Sequence, residues 1–583
     1  MLRRPIFRFL ILAGVGWLAI TPFLRWGSPS GHDFEFHVFS WMDVLDQWKH
    51  GIVYPRWAAL AHWGYGEARF IFYPLGSWTL GAALGAILPW KMVPGAYCWL
   101  VLTAAGGSMY ALARQWLRPP DALFAAAFYA VNPYHLLIVY WRSAYAELLA
   151  AVFVPLMLLC LLRLKEDDFR PTLWLSLTLA GAWLTNVPAA LMMYYSAAGL
   201  AVLMAVRERS ARVLIRTAIA MLLGAGLASF YLVPAIYEQP WVNIAQVLSP
   251  GVRPQDNFLF TVIADPDHNR FNLLVSLIAL AEIVALALAM WYSRRRAFEK
   301  TRPENARVEK SPWLLLSVLG AATAFVMLPA SNLLWEHLPK FRFVQLPFRW
   351  LLCLNASIAV LLAMATRSAI EQSPSQPPPT RPSAIGCWTT RGVASAALLA
   401  VLFVAGHRIQ PPWWDAARDI QEMSNAVSDG TGYEGADEYV PVAADPYEIK
   451  NDLPRVSDET GASVSAQMME WSAETKHFVA RADTARNLTV RLFNYPAWRV
   501  MVNGRLAETQ TSDVTGLMII PLTAGENDVR IAFVRTPDRT VGDAASLLSM
   551  IVLVVMWIKT VPQVRARVLC ALTWGTPATR KDL

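Results

Sequence analysis

The residues of this chain best suited to chemistry follow its first apolar stretch, in the segment Gly31-His-Asp-Phe-Glu-Phe-His. Asp33 stands a few residues beyond that stretch, where a carboxylate could accept a proton from an acceptor hydroxyl or hold a metal ion. His32, Glu35 and His37 are close enough in sequence to act at the same place. The alternative is a solvated interfacial loop whose aromatic residues anchor it at the headgroup level.

A second group places Arg142 near Glu147 in Tyr140-Trp-Arg-Ser-Ala-Tyr-Ala-Glu. A guanidinium at this position could hold a phosphate through two parallel hydrogen bonds. It could equally pair with Glu147, or with lipid headgroups as a membrane anchor. The residue types alone leave these roles open.

A third group contains Lys340, Arg342 and Arg349 in Lys340-Phe-Arg-Phe-Val-Gln-Leu-Pro-Phe-Arg-Trp. The topology derived below puts this basic cluster outside, whereas basic residues normally concentrate in cytoplasmic loops. That exception favours an anionic ligand such as a lipid phosphate. The alternative is a belt of aromatic and basic residues at the membrane surface.

A weaker candidate is the segment Asp265-Pro-Asp-His, where Asp265, Asp267 and His268 could share a cation. Aspartate before proline is also common in ordinary turns, so whether the protein uses a divalent cation stays open. The sequence contains no phosphate-binding glycine loop, nucleophile elbow or HExxH pattern. A soluble nucleotide is therefore not an expected substrate.

The elements that position these groups are membrane spans. Of the 583 residues, 55% are hydrophobic and only 16% are charged, and the mean hydropathy is positive. Several apolar runs approach the roughly 20 residues that a helix needs to cross a bilayer. The chain is therefore predicted to be a polytopic α-helical membrane protein.

The net charge of +8 is unevenly distributed. Residues 411–540 contain 20 acidic and 12 basic residues, so the basic excess belongs to the membrane part, where it lies in short loops. That distribution is typical of positive-inside topology and does not indicate a nucleic-acid partner.

Placing the basic loops inside predicts about twelve crossings, with both termini in the cytoplasm. One further segment, Phe70 to Trp90, has proline or glycine at both ends and is predicted to be a re-entrant or interfacial helix. The predicted domains are a membrane domain at 1–406, an extracytoplasmic domain at 407–542, and a final span with its tail at 543–583.

The extracytoplasmic domain begins with a loop-rich part, Pro411 to Asp458, and continues with short alternating runs that indicate strands. These runs are Lys476 to Ala482, Leu488 to Phe493, Trp498 to Val502, Leu517 to Leu522 and Val529 to Val534. Asn503-Gly504 predicts a type I′ hairpin turn, which needs positive φ at both central residues. The expected architecture is a small antiparallel β-sandwich.

Several of these motifs resemble one bacterial family, the YfhO-like or "6-pyruvoyl-tetrahydropterin synthase-related" membrane proteins. They are Gly31-His-Asp-Phe-Glu-Phe-His, Tyr54-Pro-Arg-Trp, Gly64-Tyr-Gly, Phe72-Tyr-Pro-Leu, Asn132-Pro-Tyr-His, Arg142 with Glu147, Gln345-Leu-Pro-Phe-Arg-Trp and Tyr495-Pro-Ala-Trp-Arg-Val-Met-Val-Asn-Gly. The zinc-binding histidine cluster of the soluble synthase has no counterpart in these motifs, so the resemblance does not imply pterin chemistry.

That family looks like a branch of the GT-C glycosyltransferases, multi-span enzymes that use polyprenyl-phosphate sugars at the outer face of the membrane. The resemblance implies that Asp33 is the catalytic acid or base, with an accessory group around it and a basic group that binds the donor phosphate. The accessory residues would be His32, Glu35, His37 and Glu147, and the phosphate-binding residues Arg142, Lys340, Arg342 and Arg349.

The expected function is transfer of a sugar from a polyprenyl-phosphate donor to a glycan or polymer acceptor, with membrane lipid as a further partner. One rival is a transporter or flippase for lipid-linked glycans, for which Glu282 is the clearest ionisable residue within a span. The other rival is a non-catalytic scaffold of envelope assembly. Ordered polyprenyl phosphate beside Asp33 would disfavour the scaffold.

Overall fold

The computed structural model describes residues 5–299, 306–366 and 413–560, together with the isolated positions Gly392 and Ala400. Most of the described chain is helical. The helices in the first half are α1 (Pro5–Trp26), α2 (Phe34–Lys49), α3 (Ala61–Gly64), α4 (Arg69–Phe72), α5 (Leu75–Gly85), α6 (Val93–Ala113), α7 (Pro119–Ala130), α8 (Pro133–Leu137), α9 (Tyr145–Ala150), α10 (Phe153–Arg163), α11 (Arg170–Trp183), α12 (Val187–Glu208), α13 (Arg212–Leu227) and α14 (Ser229–Tyr237). The later helices are α15 (Pro266–Glu299), α16 (Ala306–Val326), α17 (Asn332–His337), α18 (Leu351–Ala365), α19 (Ala417–Ser428) and α20 (Pro537–Thr560).

Eight helical segments in the described ranges are long and apolar enough to cross a membrane, or up to ten if each of two bent pairs is one span. The eight are Pro5–Trp26, Trp90–Ala113, Pro119–Arg142, Tyr145–Arg163, Val187–Glu208, Pro266–Arg294, Pro347–Ala365 and Pro537–Thr560. The bent pairs are Arg212–Leu227 with Ser229–Tyr237, at 73°, and Trp313–Val326 with Pro329–His337, at 95°.

These eight to ten spans compare with about twelve predicted. One expected crossing forms α11, whose 14 residues reach about 21 Å, less than a hydrocarbon core of roughly 30 Å. Another, before the polar domain, lies outside the described residues. In the segment predicted to be a partial helix, α5 has 11 residues and reaches only about 16 Å, too short to cross.

Asparagine and proline define where several helices begin. The Asn132 side chain accepts a hydrogen bond from the His135 amide at 3.0 Å, and Asn186 accepts one from the Ala189 amide at 2.9 Å. Each cap satisfies an amide that has no partner within its own helix. The prolines that follow suit the first turn, where no amide hydrogen is needed.

The span Pro347–Ala365 is the most enclosed, with 89% of its apolar window buried, whereas the value for Pro537–Thr560 is 6%. The helix α18 therefore lies in the core, and α20 lies at the periphery. Ser546 fixes α20 against α14, because its hydroxyl accepts the Phe230 amide at 2.8 Å. A Cβ at Gly542 would lie 2.6 Å from the Ser229 carbonyl, so the two helices require glycine at this contact.

The C-terminal region contains two antiparallel sheets and two short strands that pair across the chain. The strands are β1 (Ser28–Pro29), β2 (Trp414–Asp415), β3 (Val456–Ser457), β4 (Ala466–Trp471), β5 (Thr475–Ala482), β6 (Arg486–Phe493), β7 (Trp498–Val502), β8 (Arg505–Ala507), β9 (Gln510–Thr511), β10 (Leu517–Leu522) and β11 (Gly525–Phe533). One sheet has the order β3-β6-β10-β9 and the other β4-β5-β11-β7-β8. Inward residues such as Phe478, Leu488 and Val529 are fully buried in one shared apolar core.

The five predicted strands are confirmed as β5, β6, β7, β10 and β11. The hairpin is confirmed as well, since Asn503 and Gly504 have φ of 51° and 75° between the paired strands β7 and β8. The loop-rich interpretation of the preceding part is wrong for α19, a 12-residue helix that buries Ile420 and Val427. Those two apolar residues, seven positions apart, are a weak periodic signal.

The β-rich region contacts the loops at one end of the helical body. In the pair β1–β2, Ser28 lies opposite Asp415. A second contact, the docking cluster, is formed by Glu238, Arg539 and Tyr495. Arg539 donates to both oxygens of Glu238, at 2.9 and 3.1 Å, and Tyr495 donates at 2.5 Å. The boundary predicted at residue 407 lies outside the described residues and stays a prediction.

Candidate active site

Four chain segments meet where several candidate spans begin or end. The first is the turn between α1 and α2, where Asp33 directly precedes α2. The second is a single π-helical turn, Ile138–Arg142, which continues α8. Glu147 lies in the first turn of α9, and Arg349 lies in a 3₁₀ turn, Pro347–Trp350, that leads into α18. π-turns are rare and occur often at functional sites.

The first turn is joined to the end of the π-helix by backbone contacts. The Asp33 amide donates to the Arg142 carbonyl at 2.8 Å. The Gly31 amide donates to the Ser143 hydroxyl at 3.0 Å, and that hydroxyl donates to the Pro29 carbonyl at 2.9 Å. A Cβ on Gly31 would lie 2.5 Å from the Trp141 carbonyl. Only glycine therefore allows an approach that sets Asp33 beside Arg142.

Glu147 is the centre of a buried ion-pair network, with 1% of its surface exposed. It accepts a hydrogen bond from Arg142 Nη1 at 2.6 Å and one from Arg349 Nε at 3.2 Å. The Tyr134 hydroxyl donates to its other oxygen. We call Asp33, Tyr134, Arg142, Glu147 and Arg349 the site cluster.

Each arginine of this cluster is held by a second contact. Arg349 Nη1 donates to the Val344 carbonyl at 2.9 Å and to the Gln345 side chain at 2.8 Å. The Arg142 guanidinium lies over the Phe348 ring, 5.6 Å from its centroid. Rotation of either side chain away from Glu147 would break these contacts, so the two positive charges are held together.

Asp33 completes the cluster on its more open side. Its carboxylate lies 3.7 Å from Arg142 Nη2 and 2.7 Å from His32 Nδ1, and 29% of its side chain is exposed. Burial by itself would raise the pKa of Asp33, but the His32 hydrogen bond and the Arg142 charge outweigh it and hold the pKa well below its usual range. The carboxylate is therefore ionised at neutral pH and free to accept a hydrogen bond.

The other accessory residues differ in their surroundings. His37 is 2% exposed and follows Asp33 by one helical turn, whereas Glu35 is exposed. His32 is 85% exposed. Burial lowers the pKa of His37 to about 4, although the Asp33 charge opposes that shift. His37 is therefore a neutral imidazole at physiological pH.

The predicted phosphate-binding residues do not lie together. Arg142 and Arg349 converge on Glu147, whereas Lys340 and Arg342 are exposed to solvent. The Lys340 ammonium lies 5.1 Å from the centroid of the Phe343 ring. Lys340 and Gln345 both have positive φ, at 58° and 63°, and they bound the short 3₁₀ turn that contains Arg342.

The weak metal candidate is not assembled as a ligand set. The Asp265 carboxylate accepts the amides of Asp267 and His268 at 2.9 and 3.1 Å, at the start of α15. His268 Nε2 is directed to the Asp256 carbonyl at 3.1 Å. Among the described residues, no group of three histidine, cysteine or acidic side chains is arranged to hold a metal ion.

Sequence reasoning did not assign roles to several residues that build the site. Tyr134 and Gln345 contact the charged centre, Ser143 joins the two loops, and Ser77 contacts His37. Tyr134 and Gln345 belong to the motifs Asn132-Pro-Tyr-His and Gln345-Leu-Pro. Those motifs were a usable signal, because each places a polar residue near a proline at the start of a helix or helical turn.

The sequence model of the family described as "6-pyruvoyl-tetrahydropterin synthase related domain; membrane protein" matches residues 70–406, more than half of the chain. The chain belongs to this family. The resemblance predicted from the motifs is thereby confirmed, and so is the assignment as a membrane protein. Arg142, Glu147 and Arg349 lie inside the matched range, and Asp33 precedes it.

Among solved structures, the chain is similar to the crystal structure of ArnT from Cupriavidus metallidurans bound to undecaprenyl phosphate. The two sequences are 10% identical, the match covers 73% of this chain and 76% of that chain, and the TM-score is 0.37. No curated protein matches the sequence at a significant level.

Proposed function

We propose that this protein is a GT-C type membrane glycosyltransferase that moves a sugar from a polyprenyl-phosphate donor to an acceptor hydroxyl. The observation that carries the proposal is the site cluster. Two arginines converge on one buried carboxylate, and a partly exposed, ionised aspartate lies 3.7 Å from one of them. Such a site offers a fixed anion-binding group next to a proton acceptor, which are the two groups that sugar transfer from a phosphate requires.

In the proposed reaction, Asp33 accepts the hydrogen of the acceptor hydroxyl while that oxygen attacks the anomeric carbon of the donor sugar. The bond between this carbon and the phosphate oxygen breaks, and its electron pair leaves with the polyprenyl phosphate. Arg142 and Arg349 stabilise the leaving phosphate through charge-assisted hydrogen bonds. The products are a glycosylated acceptor, a polyprenyl phosphate with one more negative charge, and a protonated Asp33.

The charges of the site cluster suit this transfer. Two guanidiniums face two carboxylates, so the cluster is neutral before a donor binds. During the reaction Asp33 loses a negative charge and the leaving phosphate gains one. Arg142, placed between the carboxylates of Asp33 and Glu147, interacts with the charge at both stages. A preorganised group of this kind lowers the barrier because it need not reorient in the transition state.

We further propose that the site faces the outside of a bacterial inner membrane, with both termini in the cytoplasm. Two observations support this orientation. The short basic loops lie at the opposite ends of the spans, and the β-rich region contacts the loop that contains Asp33 through the β1–β2 pair. The β-rich region would then hold a glycan or polymer acceptor next to the site.

The test is transfer by purified protein in liposomes, with a panel of undecaprenyl-phosphate hexoses as donors and an extract of the source cell envelope as acceptor. We expect Asp33→Asn to lower the transfer rate about 10²- to 10⁴-fold, the range for loss of general acid–base catalysis. Asp46→Asn, the same change about 20 Å farther along α2 on a side chain that is 36% exposed, is the matched control and should keep most of the rate.

Equal rates for the wild-type protein and Asp33→Asn would rule out the catalytic role of Asp33. Movement of the lipid across the bilayer without transfer would favour the transporter instead. The transporter's best residue, Glu282, is paired with Asn355 at 2.8 Å.

A further inference from the structure

Tyr73 lies beside the site cluster but takes no part in the reaction proposed for it. Its ring packs against two residues of α2, with the Phe36 and His37 ring centroids 4.9 and 5.8 Å from its own. The His37 amide donates to the Asp33 carbonyl at 3.1 Å, so Asp33 belongs to the same helical turn. Residues three and four positions apart share one face of a helix. Tyr73 therefore packs along the face of α2 that begins with Asp33.

The backbone of Tyr73 is fixed on both sides. Its amide donates to the Arg69 carbonyl at 2.8 Å, and its carbonyl accepts a hydrogen bond from Trp78 Nε1 at 3.4 Å. A residue before proline is restricted to extended backbone, and Tyr73, which precedes Pro74, has φ of −93° and ψ of 128°. The chain and α2 together hold the ring in place without a ligand.

The side chain of Tyr73 is on the open side of the cluster, since it is partly exposed. Its contacts within the described ranges are ring contacts, and no described residue forms a hydrogen bond with its hydroxyl. The side chains of Asp33 and Arg349 are 29% and 11% exposed, whereas Glu147 and Tyr134 are closed off, at 1% and 0%. A ligand that comes from solvent therefore meets Tyr73, Asp33 and Arg349 before it meets Glu147.

The charges of the site cluster act on the Tyr73 hydroxyl. Burial raises the pKa of Tyr73, and the Asp33 charge raises it further, while the Arg349 charge opposes the shift. The hydroxyl is therefore close enough to both charged groups to share a ligand with them. At neutral pH it keeps its hydrogen and is an uncharged hydrogen-bond donor.

We propose that the Tyr73 hydroxyl donates a hydrogen bond to the phosphate group of a polyprenyl-phosphate donor, next to Arg349. This inference rests on the proposed function, in which Arg142 and Arg349 hold that phosphate. A phosphate has oxygens on several sides, and a neutral hydroxyl binds one of them without changing the charge of the cluster. Tyr73 keeps its own hydrogen throughout, so it binds the donor and does not act as an acid.

A phosphate suits this position better than an uncharged sugar hydroxyl. The Arg349 charge that acts on the Tyr73 hydroxyl acts on the same phosphate. Hydrogen bonds to ionised acceptors are roughly twice as strong as those between neutral groups, and the negative charge of the phosphate rises as the sugar leaves. The bond from Tyr73 therefore strengthens during the reaction, which lowers the barrier as well as tightening binding.

The first experiment compares the binding of undecaprenyl phosphate and undecaprenol, which differ only in the phosphate, to the full-length protein in nanodiscs. We expect Tyr73→Phe to weaken the binding of undecaprenyl phosphate about tenfold, the size of one hydrogen bond to a charged group. The affinity of this variant for undecaprenol should stay within about twofold of the wild-type value, because phenylalanine keeps the ring and its packing against α2.

Tyr54→Phe is the matched control. Tyr54 is also partly exposed, and no described residue forms a hydrogen bond with its hydroxyl. The charges that act on it are those of Arg56, Asp543 and Arg539. We expect this variant to change the affinity for undecaprenyl phosphate less than about twofold. Both variants should unfold at similar temperatures, so that a difference in affinity reports on the phosphate and not on folding.

The second experiment measures transfer from an undecaprenyl-phosphate hexose, with donor and acceptor varied in turn. Tyr73→Phe should raise the apparent KM for the donor about tenfold and lower kcat severalfold. The apparent KM for the acceptor should stay within about twofold. A purely structural role of Tyr73 would instead raise both KM values together, because the whole site would be disturbed.

The outcomes separate the two proposals. Equal affinity of the wild-type protein for undecaprenyl phosphate and undecaprenol would overturn the proposed donor and this inference with it. If the wild-type protein prefers the phosphate and Tyr73→Phe binds it as tightly, only the role of Tyr73 is overturned. An equal loss of affinity for both lipids in Tyr73→Phe would also overturn that role, because the lost contact would not involve the phosphate.

Discussion

The site cluster and the docking cluster are built from the same residue types but differ in how completely their charges are paired. In the docking cluster, Glu238 is 0% exposed, receives two hydrogen bonds from Arg539 and is bonded to Tyr495. In the site cluster, Glu147 also meets a tyrosine, but it is shared by two arginines. The remaining positive charge is balanced by Asp33, which is farther away and partly exposed.

The difference shows what a buried charge group can be used for. In the docking cluster, the two hydrogen bonds from Arg539 pair the Glu238 carboxylate fully and leave no charge for a ligand. This cluster joins two parts of the chain. A carboxylate shared by two arginines leaves guanidinium hydrogens available to an anion. The backbone of the site cluster is also strained, because it contains a π-turn and Ser143, whose φ is 49°. Strain of this kind concentrates at functional sites.

The sharpest comparison removes the central carboxylate of each cluster. Glu147→Gln and Glu238→Gln each leave a buried guanidinium without its partner, which typically costs about 3–5 kcal/mol of stability. We expect both variants to unfold at lower temperature in detergent. Only Glu147→Gln should also lower the transfer rate per folded molecule, by at least about 100-fold. A similar loss of the transfer rate in Glu238→Gln would show that the site cluster has no special role in transfer.

A second comparison concerns pH at another contact with the β-rich region, where the Tyr433 hydroxyl donates to Asp43 at 2.8 Å. Burial raises the pKa of Asp43 from 3.8 to about 6, although hydrogen bonds from Gln47 and Tyr433 and the Arg69 charge oppose it. The pKa of Asp43 is higher in the folded protein than in the unfolded chain, so Asp43 adds to the stability of the fold at pH values below its unfolded pKa. This contribution to stability is lost as the pH rises through about 6.

The expected penalty at pH 8 is at most about 3 kcal/mol. Thermal unfolding measured from pH 5 to pH 8 should therefore show decreasing stability. Asp43→Asn should remove most of this dependence and stabilise the protein at pH 8. A wild-type protein whose stability rises over this range would contradict the assignment.

Arg349→Lys tests whether the shared carboxylate leaves an arginine available to the donor. Lysine keeps the charge but loses the planar fork, so we expect affinity for undecaprenyl phosphate to fall about 10- to 100-fold, equivalent to roughly 1.5–3 kcal/mol. Arg342→Lys, on an exposed residue in the same segment, is the matched control and should change affinity less than about twofold. Equal effects would mean that the phosphate binds outside the cluster.

The smallest effects are expected from the two tyrosines. Tyr495→Phe and Tyr134→Phe each remove one hydrogen bond to a buried glutamate, which should cost about 1 kcal/mol of stability. Tyr134→Phe should in addition lower transfer severalfold, since Glu147 would lose the bond that orients it. Transfer that stays at the wild-type level in Tyr134→Phe would show that the arginines alone hold Glu147 in place.

Much of the fold could be predicted because it follows from local periodicity. Apolar runs of bilayer length indicated the spans, and alternation indicated β5, β6, β7, β10 and β11. The helix α19 and the strand β4 were not predicted. The strand lies at the edge of its sheet and has no strict alternation, since its residues Ala466–Trp471 are all partly or fully exposed.

The site was predicted only in part. Asp33, Arg142 and Glu147 were chosen as candidates from residue type and position, and the structure brings them together, with Arg142 paired with Glu147. Lys340 and Arg342 were predicted to lie with Arg349, but they are exposed to solvent, whereas Arg349 is buried. The short turn that contains Arg342 is bounded by positive φ at Lys340 and Gln345. Neither residue is a glycine, and nothing in their side chains reveals that conformation.

The sequence by itself determined that the chain lies in a membrane, that its acidic β-rich part is separate from its basic helical part, and that its unusual polar residues follow particular spans. These properties depend on composition and on neighbours within one element. The tertiary structure alone decided that Arg142 and Arg349, more than 200 residues apart, share Glu147, and that His37 Nε2 is buried without a hydrogen-bond partner among the described residues. Such pairings depend on how separate helices pack, because the partner of a buried charge is whatever the fold brings within reach.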